Sequence, residues 1–110
     1  DRYYQDNISE TDMFYWYYPE QMASLMKIYN GHPAVRKGSI KPFPDENIFA
    51  FERSTPDEKV LILDNLCQEY TSFATPAGWA GKKCINLMSG ETVELGGTVT
   101  LDPYQYLILE

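Results

Sequence analysis

The sequence predicts a mainly β protein, an antiparallel Greek-key β-sandwich of about eight short strands preceded by one α-helix. Two observations lead to this prediction: one stretch of helical periodicity over residues 19–30, and a long region after Gly38 in which short apolar runs alternate with turn residues. The 110 residues are enough for a single hydrophobic core. Apolar residues make up 44% and charged residues 23%, so the chain should fold rather than stay disordered.

The helix is predicted over residues 19–30. Pro19 suits a first helical position because its missing N–H would have no partner there, and Gly31 suits the position just after a helix. Pro33 is expected to block helical continuation. The apolar side chains expected to share one face, at helical spacing, are Met22, Leu25, Met26 and Tyr29. This stripe is typical of core packing.

Eight short strands are predicted after the helix, separated by turns rich in Pro, Gly, Asp, Asn and Ser. Pro42 restricts the first of them to a sheet edge. Residues 60–63 are apolar at successive positions, which predicts a strand covered on both faces. The predicted strands span residues 39–43, 48–53, 60–66, 70–74, 83–88, 92–95, 99–101 and 104–109.

The charged and catalytic residue types exclude several functions. A net charge of -7 argues against binding to nucleic acid, which requires clustered Lys and Arg. His32 is the only histidine, so no multi-histidine metal site is expected, and its place after the helix favours a capping or surface role. The acidic residues fall mostly in or beside turns. We therefore expect no catalytic residue, no metal and no cofactor.

Aromatic residues offer the main candidates for ligand contact. The first 18 residues hold seven aromatic side chains, including Trp16, and Trp79 lies in a glycine-containing segment. Each tryptophan has two interpretations: a platform on which a sugar stacks, or a packing group against this domain or another one. We favour packing for both. Asn65 interrupts an apolar strand, and a buried amide there would require hydrogen-bond partners from a neighbouring loop.

The remaining patterns leave alternatives open. Cys67 and Cys84 are either free thiols or one disulfide, the latter if the protein is exported. No segment approaches the ~20 apolar residues of a membrane-spanning helix. The first residue, Asp1, and the lack of a signal-like start lead us to expect part of a longer protein. The compartment is not encoded in the sequence.

The order of segments resembles a known family. In residues 25–38 a helix ends in a polar turn, followed by Pro-Ala, an aliphatic residue and a glycine; this stretch resembles the junction between the last barrel helix and the C-terminal domain of α-amylase family enzymes. Residues 48–53 and 59–66 resemble the early hairpin of that domain. Asn65 matches an asparagine common near the hairpin's end. Residues 85–91 and 99–109 resemble the closing strands.

The resemblance implies a non-catalytic C-terminal domain of a glycoside hydrolase that acts on α-glucans, with residues 1–38 as lead-in, final barrel helix and junction, and residues 39–110 as the all-β domain. The catalytic carboxylates of the family lie in a (β/α)₈ barrel, so no residue here inherits their role. The barrel of the same chain is the expected partner, and the helix face left exposed without it is open to self-association. The alternative is a starch-binding module that uses Trp79, Trp16 or exposed tyrosines. The residues expected to have structural roles are Leu25, Tyr29, Pro33, Gly38 and Asn65.

Overall fold

The computed structural model describes residues 19–110 of the chain. Predictions that fall on residues 1–18, including those for Trp16, lie outside the described residues. Within residues 19–110, two helices precede eight strands. The helices are α1 (Pro19–Gly31) and α2 (Pro33–Lys37). The strands are β1 (Ser39–Pro42), β2 (Ile48–Ser54), β3 (Lys59–Asn65), β4 (Thr71–Ala74), β5 (Lys83–Ile85), β6 (Thr92–Glu94), β7 (Thr98–Leu101) and β8 (Tyr106–Leu109).

All strand pairings among the described residues are antiparallel, and the mainly β prediction is confirmed. The largest sheet has four strands in the order β1-β2-β3-β8, while β4 pairs with β7 and β5 pairs with β6. Each of the eight predicted strands is present, most with shorter bounds than predicted. Strand β5 ends at Ile85 because Asn86 begins a turn, in which its side-chain oxygen accepts the Met88 N–H at 3.0 Å.

The prediction of a single helix was incomplete. Pro33 does not simply end the helical region, because it occupies the first position of a second short helix, α2. A proline is tolerated there since the first N–H groups of a helix have no partner within the helix. A one-residue break at His32 therefore separates two helices, where the sequence predicted one helix and a loop.

The four-stranded sheet has two cores, one on each face. The larger core lies between this sheet and the two small sheets, as in a sandwich. Its buried members are Ile48, Ala50, Leu61, Leu63, Phe73, Trp79, Cys84, Leu95, Leu101, Leu107 and Leu109. The smaller core lies between the opposite face and the two helices. Its buried members are Ile28, Ala34, Val60, Ile62 and Ile108, with Leu25, Val35, Phe51, Leu87 and Met88 packed beside them.

The face of α1 that packs on the sheet differs from the predicted stripe. Leu25 and Ile28, three residues apart, pack into the smaller core, whereas Met26 and Tyr29 are 47% and 43% exposed. The prediction that Tyr29 belongs to the packed face was wrong. Ile28 follows Leu25 by three residues and Tyr29 follows it by four, so either can share a helix face with Leu25, and it is Ile28 that faces the sheet. The prediction for Met22 lies outside the described side chains.

We expect Leu25→Ala to lower the free energy of unfolding by about 2 kcal/mol, the low end for a buried leucine, since Leu25 is only partly covered. Met26→Ala is the matched control, and it should change stability by less than about 0.5 kcal/mol because its side chain is about half exposed and packs into neither core. Urea unfolding of the three proteins measures both values. Equal losses in the two variants would contradict the assignment of the packed face.

Candidate functional site

The helix-bearing face of the four-stranded sheet continues beyond the part that the helices cover. The strand register places Phe49 opposite Asp64, and Asp64 opposite Tyr106, so these three side chains form a row across β2, β3 and β8. Phe49 is 58% exposed and Tyr106 is 37% exposed. The Phe49 ring lies 5.1 Å from the ring of Phe51, which packs against the smaller core. We call Phe49, Asp64 and Tyr106 the exposed row.

The exposed row is only partly open to solvent, and this burial affects its two ionisable groups. Burial raises the pKa of the Asp64 carboxyl, because a less solvated site disfavours the charged form. Burial also raises the pKa of Tyr106, and the nearby charge of Asp64 adds to the effect. A carboxyl flanked by two aromatic side chains on an open sheet face is thus already partly desolvated without any covering domain.

The junction after α2 brings two backbone segments into close contact at Gly38. Its N–H donates to the Ala34 carbonyl at 2.9 Å. A Cβ atom at this position would lie 2.5 Å from the Ala34 carbonyl oxygen and 2.9 Å from backbone atoms of Ser54. The guanidinium of Arg53 donates to the carbonyls of Val35 and Gly38, which fastens α2 to β2. The absence of a side chain at residue 38 is therefore a requirement of packing.

A polar cluster forms where the two helices meet. His32 Nδ1 lies 2.7 Å from Glu58 Oε2 and 3.4 Å from Glu110 Oε2. The other oxygen of Glu58 accepts the Ala34 N–H at 3.0 Å. His32 occupies the N-cap position of α2 but makes no capping bond with its side chain, so the predicted capping role belongs to Glu58. We call His32, Glu58 and Glu110 the junction cluster.

The pKa values in the junction cluster follow from its hydrogen bonds. A hydrogen bond from the Glu110 carboxyl, followed by bonds from His32 and the Ala34 N–H, lowers the pKa of Glu58 to about 2. The same bond to Glu58, together with burial and repulsion between the two carboxyls, raises the pKa of Glu110. The bond to Glu58 is also the main cause that raises the pKa of His32. Glu58 is thus the carboxylate that stays ionised.

Trp79 lies in the larger core rather than on an open surface. Its side chain is 3% exposed, and its indole N–H donates to Glu52 Oε1 at 2.8 Å. The Lys82 ammonium sits 5.1 Å from the centre of its ring. This burial favours the packing interpretation over a sugar platform. Glycan contact by Trp79 stays a prediction, as does the role of Trp16.

Asn65 is fully buried at the end of β3. Its side-chain N–H groups donate to the carbonyls of Glu69 and Asp102, each at 2.9 Å, and its oxygen accepts the Cys67 N–H at 3.0 Å. The side chain therefore joins the loop after β3 to the turn before β8. Every donor and acceptor required by an asparagine buried at this position comes from backbone groups of neighbouring loops.

Both cysteines are free thiols, which resolves the alternative left open by the sequence. Cys84 is buried in the larger core, and burial raises its pKa, so its thiol stays protonated and inert. Cys67 is only half-buried. Among the described helices, none has the length and apolar character needed to cross a membrane.

Comparison with known families gives the class of protein. Residues 41–108 match the model of the family described as Maltogenic Amylase, C-terminal domain, which is more than half of the chain. Together with the antiparallel fold, the match defines the C-terminal domain of an amylase-type enzyme. The chain belongs to the maltogenic amylase C-terminal domain family. A search of curated proteins finds no match.

Solved structures with the same fold are long enzyme chains. The trehalulose synthase MutB from Pseudomonas mesoacidophila MX-45 is 24% identical with a TM-score of 0.67, and the match covers 80% of this chain and 16% of MutB. An Anoxybacillus α-amylase is 19% identical with a TM-score of 0.71, covering 82% of this chain and 21% of the amylase. AmyP, solved with maltose, is 16% identical with a TM-score of 0.72, covering 94% and 21%. This chain thus spans about a fifth of each solved chain.

Proposed function

We propose that this domain packs on a catalytic barrel of the same chain and stabilises it, in an enzyme that acts on α-glucans. The observation that carries the proposal is the exposed row on the helix-bearing sheet face, where Phe49 is mostly exposed and Tyr106 is about a third exposed beside the covered core. In this proposal residues 1–38 carry the final barrel helix and the junction, and residues 39–110 form the C-terminal domain.

The two faces of the four-stranded sheet differ in what remains available for a partner. The face toward the small sheets is filled by the larger core. The opposite face is covered only in part by α1 and α2, and α1 itself presents Met26 and Tyr29 on its outer side. Phe49, Tyr106, Met26 and Tyr29 are exposed around the helix-covered core, and such a group of neighbouring aromatic and apolar side chains favours an interface with another protein surface. Other exposed apolar side chains, such as Leu66, Tyr70 and Tyr104, lie in loops between the strands. The barrel is the partner that fits, since the related solved chains are several times longer than this domain.

A pair of preparations tests the packing role: the 110-residue chain, and the complete protein that contains it. We expect Phe49→Ser to change the stability of the isolated chain by less than about 0.5 kcal/mol, because the side chain is mostly in solvent. In the complete protein the same change should lower the melting temperature by several degrees, because a buried aromatic contact is lost there. Differential scanning calorimetry measures both.

Tyr70→Ser is the matched control, since Tyr70 is 72% exposed but precedes β4, a strand of the small sheets. It should leave both preparations unchanged. Equal effects of Phe49→Ser in the two preparations would overturn the proposed interface. The substrate class is tested on the same material: the complete protein should release reducing sugar from soluble starch, whereas the 110-residue chain should not. If the complete protein does not act on α-glucans, the proposed substrate class is wrong, but the calorimetry still tests the proposed packing on the barrel.

A further inference from the structure

Three side chains that commonly bind metals meet at one point, although they come from distant parts of the chain. His32 lies between α1 and α2, Glu58 lies in the turn between β2 and β3, and Glu110 follows β8. One ligand atom of each lies within 4.8 Å of the other two. Both carboxylates face the same ring nitrogen, since His32 Nδ1 is 2.7 Å from Glu58 Oε2 and 3.4 Å from Glu110 Oε2.

We propose that the junction cluster binds a divalent transition-metal ion such as Zn²⁺, through His32 Nδ1 and one oxygen each of Glu58 and Glu110. Zinc bonds of about 2.0 to 2.2 Å place neighbouring ligands of a tetrahedral site about 3.4 Å apart. The spacing between His32 and Glu110 already matches this value. The shorter spacing between His32 and Glu58 reflects a direct hydrogen bond, and the metal would take the place of its proton.

The ligand types decide which ion fits. Imidazole nitrogen with carboxylate oxygen suits zinc and similar transition metals, whereas Mg²⁺ and Ca²⁺ prefer oxygen ligands alone. Glu110, which donates a hydrogen bond to Glu58 in the metal-free cluster, would release that proton on binding, so that two carboxylates balance the charge of a divalent ion. The two carboxylates of the cluster, Glu58 and Glu110, line a groove of about 620 Å³, from which water can supply a fourth ligand. Lys37 and Lys59 also line this groove, so we expect weaker binding than in closed sites with four protein ligands.

The surroundings orient one ligand in advance. The Ala34 N–H donates to Glu58 Oε1 at 3.0 Å and leaves Oε2 directed toward His32. Outer hydrogen bonds of this kind fix the direction of a ligating carboxylate. The bound ion would join the helix junction to the β2–β3 turn and to the end of β8. Because these segments are far apart in sequence, the link should stabilise the folded chain.

The test is thermal unfolding of the 110-residue chain carrying Cys67→Ser, which removes the more accessible thiol as a competing ligand. Relative to buffer with EDTA, we expect about 100 µM ZnCl₂ to raise the melting temperature by about 4 °C or more, and the same concentration of MgCl₂ to leave it unchanged. Equilibrium dialysis with atomic absorption should give one zinc ion per chain.

Site variants decide whether this zinc is held by the junction cluster. His32→Gln and Glu110→Gln should each weaken zinc binding at least tenfold, while Glu94→Gln, the same charge change at an exposed residue of β6, should retain it. No zinc shift in the parent chain, or an undiminished shift in either site variant, overturns the proposal. If His32→Gln does not fold in EDTA, Glu110→Gln and the dialysis stoichiometry decide it, since Glu110 is the more exposed ligand.

Discussion

Replacing Asn65 by alanine is expected to lower the free energy of unfolding by about 3 to 4 kcal/mol. The change removes three hydrogen bonds to backbone groups, which then lie without partners in a buried site. Each buried donor or acceptor left without a partner costs about 1 to 3 kcal/mol, and partial access of water keeps the total loss below the sum of three such costs. Urea unfolding followed by circular dichroism measures the loss.

Asn86→Ala provides the matched control for this result. Asn86 is half-buried, and its side-chain oxygen accepts one backbone N–H, that of Met88. We expect a loss of about 1 kcal/mol there. Asn65→Asp should resemble Asn65→Ala, because a carboxylate would face the carbonyls of Glu69 and Asp102 and offer them no donor. A loss at residue 65 no larger than that at residue 86 would show that Asn65 does not hold the two loops together.

The second large effect is expected from Gly38→Ala, at about 3 kcal/mol of lost stability. The new methyl group would meet backbone atoms of Ala34 and Ser54 at 2.5 to 2.9 Å, and backbone in a paired strand cannot move aside as a side chain would. The backbone angle of Gly38 is φ -71°, which any residue adopts. The expected loss of stability therefore comes only from the steric overlap of the methyl group with these backbone atoms.

Gly31→Ala should act in the opposite direction. Gly31 ends α1 and has open space where a Cβ would be, so alanine fits there without contact. Alanine also lowers the conformational entropy of the unfolded chain, so the change should be neutral or stabilise the protein by up to about 1 kcal/mol. Melting temperatures of the two variants separate the positions directly. A Gly38→Ala protein as stable as the unaltered chain would mean that the junction between α2 and β2 is looser than its distances indicate.

The sequence predicted the strands well because each depends on local information. Apolar runs such as residues 60–63 and turn residues between runs are properties of a few neighbouring positions, and all eight strands were placed from them. The packed face of α1 was less well determined. Apolar residues at 25, 26, 28 and 29 satisfy helical spacing on two overlapping faces, and only contact with the sheet selects Leu25 and Ile28.

The candidate sites depended on tertiary contacts that no local pattern contains. His32, Glu58 and Glu110 are ordinary polar residues in the sequence, and they meet only because β8 pairs beside β3 and the helices fold back over the sheet. The exposed row likewise requires the register of three strands. By contrast, the special position of Asn65 was visible in advance, since an amide at the end of an apolar strand has to find partners.

The strand order β1-β2-β3-β8 also affects how the chain folds during synthesis. The β1-β2-β3 meander can pair as soon as it leaves the ribosome, but β3 waits for its second neighbour while four further strands are made. Until β8 has been synthesised, the edge of β3 that carries Leu61 and Leu63 has no paired strand. Such an unpaired edge can form hydrogen bonds with strands of other nascent chains. Slow translation after β3 should therefore favour aggregation, and a chaperone that shields this edge should increase the yield of folded protein.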